Sequence, residues 1–158
     1  MIMRTVLTLA LLASLVSFIS PAAAQPPRPE DPEARAIRQT ALDYIEGWYE
    51  GNVERMTRAL HPELVKRIIV TDHGASRIEG MGASKLIASV RAGYGKDTPR
   101  DKQLKEVTIL DRYENAAAVK IIASDWIDYL QVGKLDGRWV IVNVLWERKP
   151  DNQPKPKK

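Results

Sequence analysis

Residues 117–146 read AAVKIIASDWIDYLQVGKLDGRWVIVNVLW, and this stretch decides the fold class. Asp136-Gly137 is a two-residue hairpin signal, because both central positions of the favoured tight turn need a positive φ. It is flanked by Trp126–Leu135 and Trp139–Glu147, two runs rich in β-branched and aromatic residues. A third strand is expected over Ala117–Ala123. Glu114-Asn115 marks a turn before it, and Val107–Leu110 forms a fourth strand. Val119–Ala123 and Val140–Leu145 are apolar at both strand parities. Both faces of the sheet are therefore expected to be covered, by helices on one side and a second subunit on the other. Trp139 and Trp146 have opposite parity, so strict alternation sends them to opposite faces, one under the helices and one towards a subunit contact.

Upstream, the apolar period changes from two to three and four. Ala34, Ile37, Ala41, Tyr44, Ile45 and Trp48 make one face of a long helix, and Gly51-Asn52 supplies a stop and a fresh N-cap. A short second helix carries Val53, Met56 and Leu60 and must end near His61, because Pro62 disfavours helical geometry before it. Leu64–Val70 reads as a strand, Asp72-His73-Gly74 as a turn, and Ser76–Glu79 as the returning partner. Gly82–Ala92 is helical again, with Ala83, Leu86, Ile87 and Val90 on one side, and polar residues 93–103 bridge to the meander. The expected order is ααββαββββ, an α+β domain in which helices lie on one face of the sheet.

The chain has 158 residues, of which only part belongs to this domain. Met1–Arg4 is a basic start, Thr5–Ser20 an apolar run, and Ala22-Ala23-Ala24 a small-residue cleavage pattern. Residues 1–24 are thus expected to be a signal peptide, too short for a stable span. Residues 25–32 form a proline-rich linker, 33–148 the domain, and 149–158 a basic disordered tail. Of the 24 basic residues, Arg4 and four lysines lie in the leader and tail, and Asp151 alone of the 20 acidic ones does. The body is electrically balanced, which argues against a nucleic-acid groove. With no cysteine, an exported chain cannot be a disulfide scaffold, hold a thiolate metal site or be lipidated on sulfur.

Several phrases carry a family resemblance: residues 44–49 (YIEGWY), 58–64 (RALHPEL), 125–130 (DWIDYL) and 136–146 (DGRWVIVNVLW). Together with the element order they resemble the putative lumazine-binding family of the nuclear transport factor 2-like (cystatin-like) superfamily. The resemblance implies a cone, in which a curved mixed or antiparallel sheet wraps the long first helix around a pocket for an apolar small molecule. It also implies homodimerisation through the convex sheet face.

The superfamily includes ketosteroid isomerase-like enzymes, whose site joins a helix-1 tyrosine, a protonated strand aspartic acid and a separate carboxylate base. Registering helix 1 on its Tyr-to-Gly spacing puts the tyrosine at Tyr44. The final strand puts a pocket tryptophan at Trp146, and the strand aspartate falls at Asp128. Alternation places Trp126, Asp128 and Leu130 on the cavity side. The base position falls near Ile68, within Lys66–Val70, where Lys66 and Arg67 cannot replace a carboxylate; Glu63 and Asp72 lie on either side. An oxyanion hole lacking a base binds a ligand without turning it over. The expectation is therefore an exported protein whose ligand contacts Tyr44, Trp48, His61, Trp126, Asp128 and Trp146. The alternative is an isomerase, dehydratase or cyclase using Asp128 with Tyr44 or His61.

Each residue also has a plainer role. Tyr44 and Trp48 lie on the packing stripe of their helix, Asp128 between Ile127 and Tyr129 can face solvent, and His61 before Pro62 can cap or pack. His61, His73 and Asp72 lack helical i, i+4 ligand spacing, so no zinc or other metal site is expected; no cofactor is expected either. Ser84 and Ser89 lack a nucleophile-elbow context, and Gly80-Met81-Gly82 lacks a phosphate-loop pattern. The expected partner is a small molecule, together with a second copy of the chain.

Overall fold

A computed structural model describes residues 31–150. The expected signal peptide, residues 25–30 of the linker and residues 151–158 of the tail lie outside the described residues. Helix α1 spans Pro32–Glu50, beginning one residue before the expected domain start at residue 33. Pro32 occupies the first turn, where its missing N–H needs no partner, and the Asp31 side chain accepts from the Glu33 N–H at 3.4 Å. Gly51 ends the helix in the left-handed region at φ 64°, which a residue with a Cβ adopts only at a cost.

Helix α2 (Val53–Ala59) is capped by the Asn52 side chain, and strand β1 (Leu60–Asp72) begins at once. Leu60 already pairs with Ile141, so the strand takes in His61 and Pro62, where the sequence predicts a break. The pairing register shifts between Leu60 and Val65, and that irregularity accommodates a proline with no N–H to donate. Strand β2 (Ala75–Gly82) returns through a turn with His73 at φ 48° and Gly74 at φ 81°. Helix α3 (Ala83–Arg91) and one 3-10 turn (Arg100–Lys102) lead to β3 (Lys105–Tyr113), β4 (Ala116–Ala123), β5 (Trp126–Leu135) and β6 (Arg138–Arg148). At Asp136-Gly137 both φ angles are positive (50° and 78°), the primed hairpin geometry read from the sequence.

The six strands form one curved sheet in the order β2-β1-β6-β5-β4-β3; its architecture is the α+β class expected from the element order, with the curved sheet that the resemblance implies. The sheet is mixed: β1 runs parallel to β6 and the other neighbours are antiparallel. Ile37, Ala41 and Ile45 of α1 bury against the inner face with Val119, Ile121, Leu130, Ile141 and Val144, all fully or almost fully enclosed.

The expected separation of Trp139 and Trp146 does not hold. Gln131 pairs with Asn143 but Val132 pairs with Ile141, so Val142 is an extra residue on β6. Such a bulge inverts the alternation downstream of itself. Both tryptophans consequently face the helices: Trp139 packs in the core and donates its Nε1–H to Glu33 at 2.7 Å, and Trp146 packs against the core cluster.

Candidate functional site

Tyr44 lies one turn before Trp48 on the buried stripe of α1, which brings its hydroxyl over the middle of the sheet. Beneath it, β5 turns Trp126, Asp128 and Leu130 inward, as alternation requires. Asp128 is 0 % exposed, so a solvent-facing role is excluded. The Trp126 Nε1–H donates to Asp128 Oδ2 at 2.6 Å, and the Tyr44 hydroxyl donates to the same oxygen at 3.3 Å.

The third donor was not expected. Lys66 on β1 is 6 % exposed, and its ammonium donates to Asp128 Oδ1 and to the Tyr44 hydroxyl, each at 2.6 Å. Its Nζ also lies 4.6 Å from the Trp146 ring centroid and 5.3 Å from that of Tyr44, close enough for cation–π attraction. Burial draws the Lys66 ammonium below the usual lysine value, with Asp128 opposing the shift. Burial likewise pushes the Tyr44 phenol well above its usual value, and the Asp128 charge adds to this. An isomerase-like hole needs an acid held neutral by apolar surroundings so that it can donate. Here Lys66 supplies a positive charge instead, and Asp128 accepts from all three neighbours. This arrangement differs from the apolar surroundings that the isomerase resemblance implies for Asp128.

Above this triad is a cavity of about 320 Å³. Tyr44, Trp48, Lys66, Met81, Leu86, Trp126 and Trp146 line it, joined by the more exposed Tyr94, Asp125 and Arg148. The Trp48 and Trp126 rings meet edge to face at 6.1 Å, and Trp126 and Trp146 do so at 6.2 Å. The tryptophan faces thus form a bent apolar wall with the Lys66–Asp128–Tyr44 cluster at its foot. Asp128 does not itself line the cavity, since Lys66 and Tyr44 stand between.

The expected site is therefore assembled in part. Tyr44, Trp48, Trp126 and Trp146 come together, with Asp128 behind them. His61 does not join: it is at the start of β1, and its Nδ1 accepts from the Glu63 N–H at 3.2 Å. Glu63 and Asp72, the flanking carboxylates considered as bases, are exposed and do not line the cavity. Among the described residues no group of three or more acidic, histidine or cysteine side chains is arranged to hold a metal ion. Lys66 is the residue that sequence reasoning missed. Its signal was present: Leu64 faces the core, so the residue two positions on shares that face.

Against known proteins, the family described as putative lumazine-binding matches residues 32–147. A comparison with curated proteins finds no match. Among solved structures, the fold is similar to that of an NTF2-like protein of unknown function from Shewanella baltica (19 % identity, 75 % of this chain and 94 % of that one, TM-score 0.57). It is also similar to a protein of unknown function with a cystatin-like fold from Nostoc punctiforme (14 % identity, 77 % and 93 % covered, TM-score 0.52). A ketosteroid isomerase-like protein from Erwinia carotovora atroseptica shares the fold as well (11 % identity, 75 % and 97 % covered, TM-score 0.51). At these identities the likeness is one of fold.

Proposed function

Because the chain belongs to the putative lumazine-binding family, we propose that it binds a small, flat, aromatic or apolar molecule in the tryptophan-lined cavity and does not turn it over. The carrying observation is the division of that cavity: three indole rings offer stacking and edge contacts, while the polar groups at its foot are already paired with one another. The volume of about 320 Å³ is at the small end of the range for ligand pockets and suits two or three fused rings. Turnover by proton transfer needs a free base within reach of the ligand. Asp128 is engaged by three donors and shielded by Lys66, so the geometry favours binding over isomerase-like chemistry.

A thermal-shift screen of pterin-, flavin- and steroid-like compounds tests this reading. A bound compound held at about 100 times its Kd stabilises the fold by about 2.7 kcal/mol. We expect at least one class to raise the melting temperature in a saturable way. If every class leaves it unchanged, the binding reading fails.

Two further parts of the proposal rest on the sequence. Residues 1–24 support export with cleavage after Ala24, which N-terminal sequencing of the chain recovered from an expressing cell tests. For a homodimer, the outer sheet face presents Tyr129 (49 % exposed) and Leu145 (40 % exposed) beside Ile69 and Ile127. Sedimentation of the wild type against Tyr129→Glu tests that face: a dimer that dissociates supports it, and a wild-type monomer removes it.

A further inference from the structure

Of the eight lysines among the described residues, Lys66 alone is buried. A lysine in a sealed core would need only its counter-ion, yet this one borders the cavity, with the Trp146 ring 4.6 Å from its nitrogen. Two of its three N–H groups are spent on Asp128 and Tyr44. No buried side-chain polar atom among the described residues lacks a partner. A buried lysine that borders an apolar cavity, with a carboxylate beside it to take its proton, has the setting in which an amine acts as a nucleophile towards carbonyl carbon.

We propose that Lys66 captures the carbonyl group of an aromatic or apolar aldehyde covalently, forming a protonated imine whose counter-ion is Asp128. The proposal rests on the ligand-binding reading and adds to it the chemical class of the ligand. Asp128 first takes a proton from the Lys66 ammonium, leaving a neutral amine. The amine forms a C–N bond to the carbonyl carbon, and proton exchange through Asp128 gives a neutral carbinolamine with Asp128 protonated. The carbinolamine C–O bond then breaks; the Tyr44 hydroxyl gives its proton to the departing oxygen, which leaves as water, and takes the Asp128 proton in its place. One ammonium and one aldehyde become one iminium and one water, and the positive charge stays beside the Asp128 carboxylate. Tyr44, which accepts from Lys66 and donates to Asp128, holds both partners in line during the exchange. No oxidant or reductant is consumed.

The wall of the cavity fits the same chemistry. A conjugated aldehyde has a planar body for Trp48, Trp126 and Trp146 to enclose. The burial of Lys66 behind this wall also disfavours return of the water that would hydrolyse the imine.

The test treats the whole chain with 2-naphthaldehyde and sodium cyanoborohydride and maps the reduced adduct by peptide mass spectrometry. In parallel, tryptophan fluorescence follows binding of 2-naphthol, which has the ring system without the carbonyl. Labelling of Lys66 at roughly tenfold or more above any other lysine is the expected result. The adduct should be absent in Lys66→Met/Asp128→Asn. Saturable 2-naphthol binding with labelling confined to other lysines overturns covalent capture and leaves the binding reading standing. If 2-naphthol does not bind and only other lysines react, both readings fall. The adduct is mapped on the wild-type chain, so each of these outcomes holds even where the double variant fails to fold.

Discussion

Lys66 and Asp128 sit 2.6 Å apart with side chains that are 6 % and 0 % exposed, so each compensates the polar group that the other brings into the core. Removing one member leaves an uncompensated buried charge, whereas replacing both with apolar groups removes the desolvation penalty altogether. Lys66→Met is expected to cost about 3–5 kcal/mol in urea unfolding, and Lys66→Met/Asp128→Leu to recover most of that loss. A small effect of the single substitution, or simple additivity in the double variant, contradicts the pairing. At this scale the sequence was half legible. Tyr44, Trp48, Trp126, Asp128 and Trp146 were recognisable from helical stripe, strand parity and resemblance. Lys66 was weighed only as a replacement for a carboxylate base and set aside because it cannot be one. Only the parity set by Leu64 placed it inward, and burial of a lysine depends on a partner 62 residues away. His61 failed for the opposite reason: its chemistry suited a site, but its own backbone neighbourhood used it first.

Among elements, the closing hairpin was the most legible, because Asp136-Gly137 fixes it and β5 runs over the expected Trp126–Leu135, whereas β3 extends beyond the expected Val107–Leu110 at both ends. The bulge at Val142 left no local mark, since valine alternates as readily as it bulges, and it determines where Trp146 points. The loop after α3 shows another constraint that no pattern reveals. A Cβ on Gly95 would overlap the Trp48 carbonyl, so this loop closes on α1 only through a residue without a side chain. The same loop brings Tyr94 and Thr98 to the cavity. Gly95→Ala is therefore expected to destabilise the protein by about 1–3 kcal/mol and to weaken ligand binding by displacing the loop. Unchanged urea midpoint and affinity in that variant would show that the loop closes by another route.

For the whole molecule, pH sensitivity comes from carboxylates that tie elements together. Burial of Asp43 disfavours its charge, but hydrogen bonds from Arg58, Gln39 and Arg55 outweigh it and hold the carboxyl below its usual 3.8. Glu46 follows the same pattern: burial opposes ionisation, and Lys105 and Arg55 prevail. Glu33 is lowered first by its hydrogen bond from Lys134 and then by that from Trp139. A carboxyl depressed by folding binds fewer protons in the native state than in the unfolded one. Its contribution is thus complete above the ordinary values of 3.8 and 4.5 and is lost as pH falls through the native ones. Urea midpoints should hold steady from neutrality to about pH 5 and fall steeply below about pH 4. Asp43→Asn, which strips Arg55 and Arg58 of a shared partner, should lower the plateau by about 1–3 kcal/mol and flatten the fall. An acid limb that is equally steep in the variant would assign the sensitivity elsewhere.

The cavity is where these scales meet, since helix, bulged strand and buried ion pair each contribute one wall of it. Its most direct test is a fluorescence titration of the wild type and of Trp48→Ala with one compound that scores in the thermal screen. Trp48 is only partly buried and lines the cavity, so its truncation should leave the fold intact. Single-site binding that weakens by about tenfold or more in Trp48→Ala, a loss of about 1.4 kcal/mol, is the predicted result. Saturable binding with the same affinity in both proteins would place the ligand elsewhere and contradict the assignment of this cavity as the binding site.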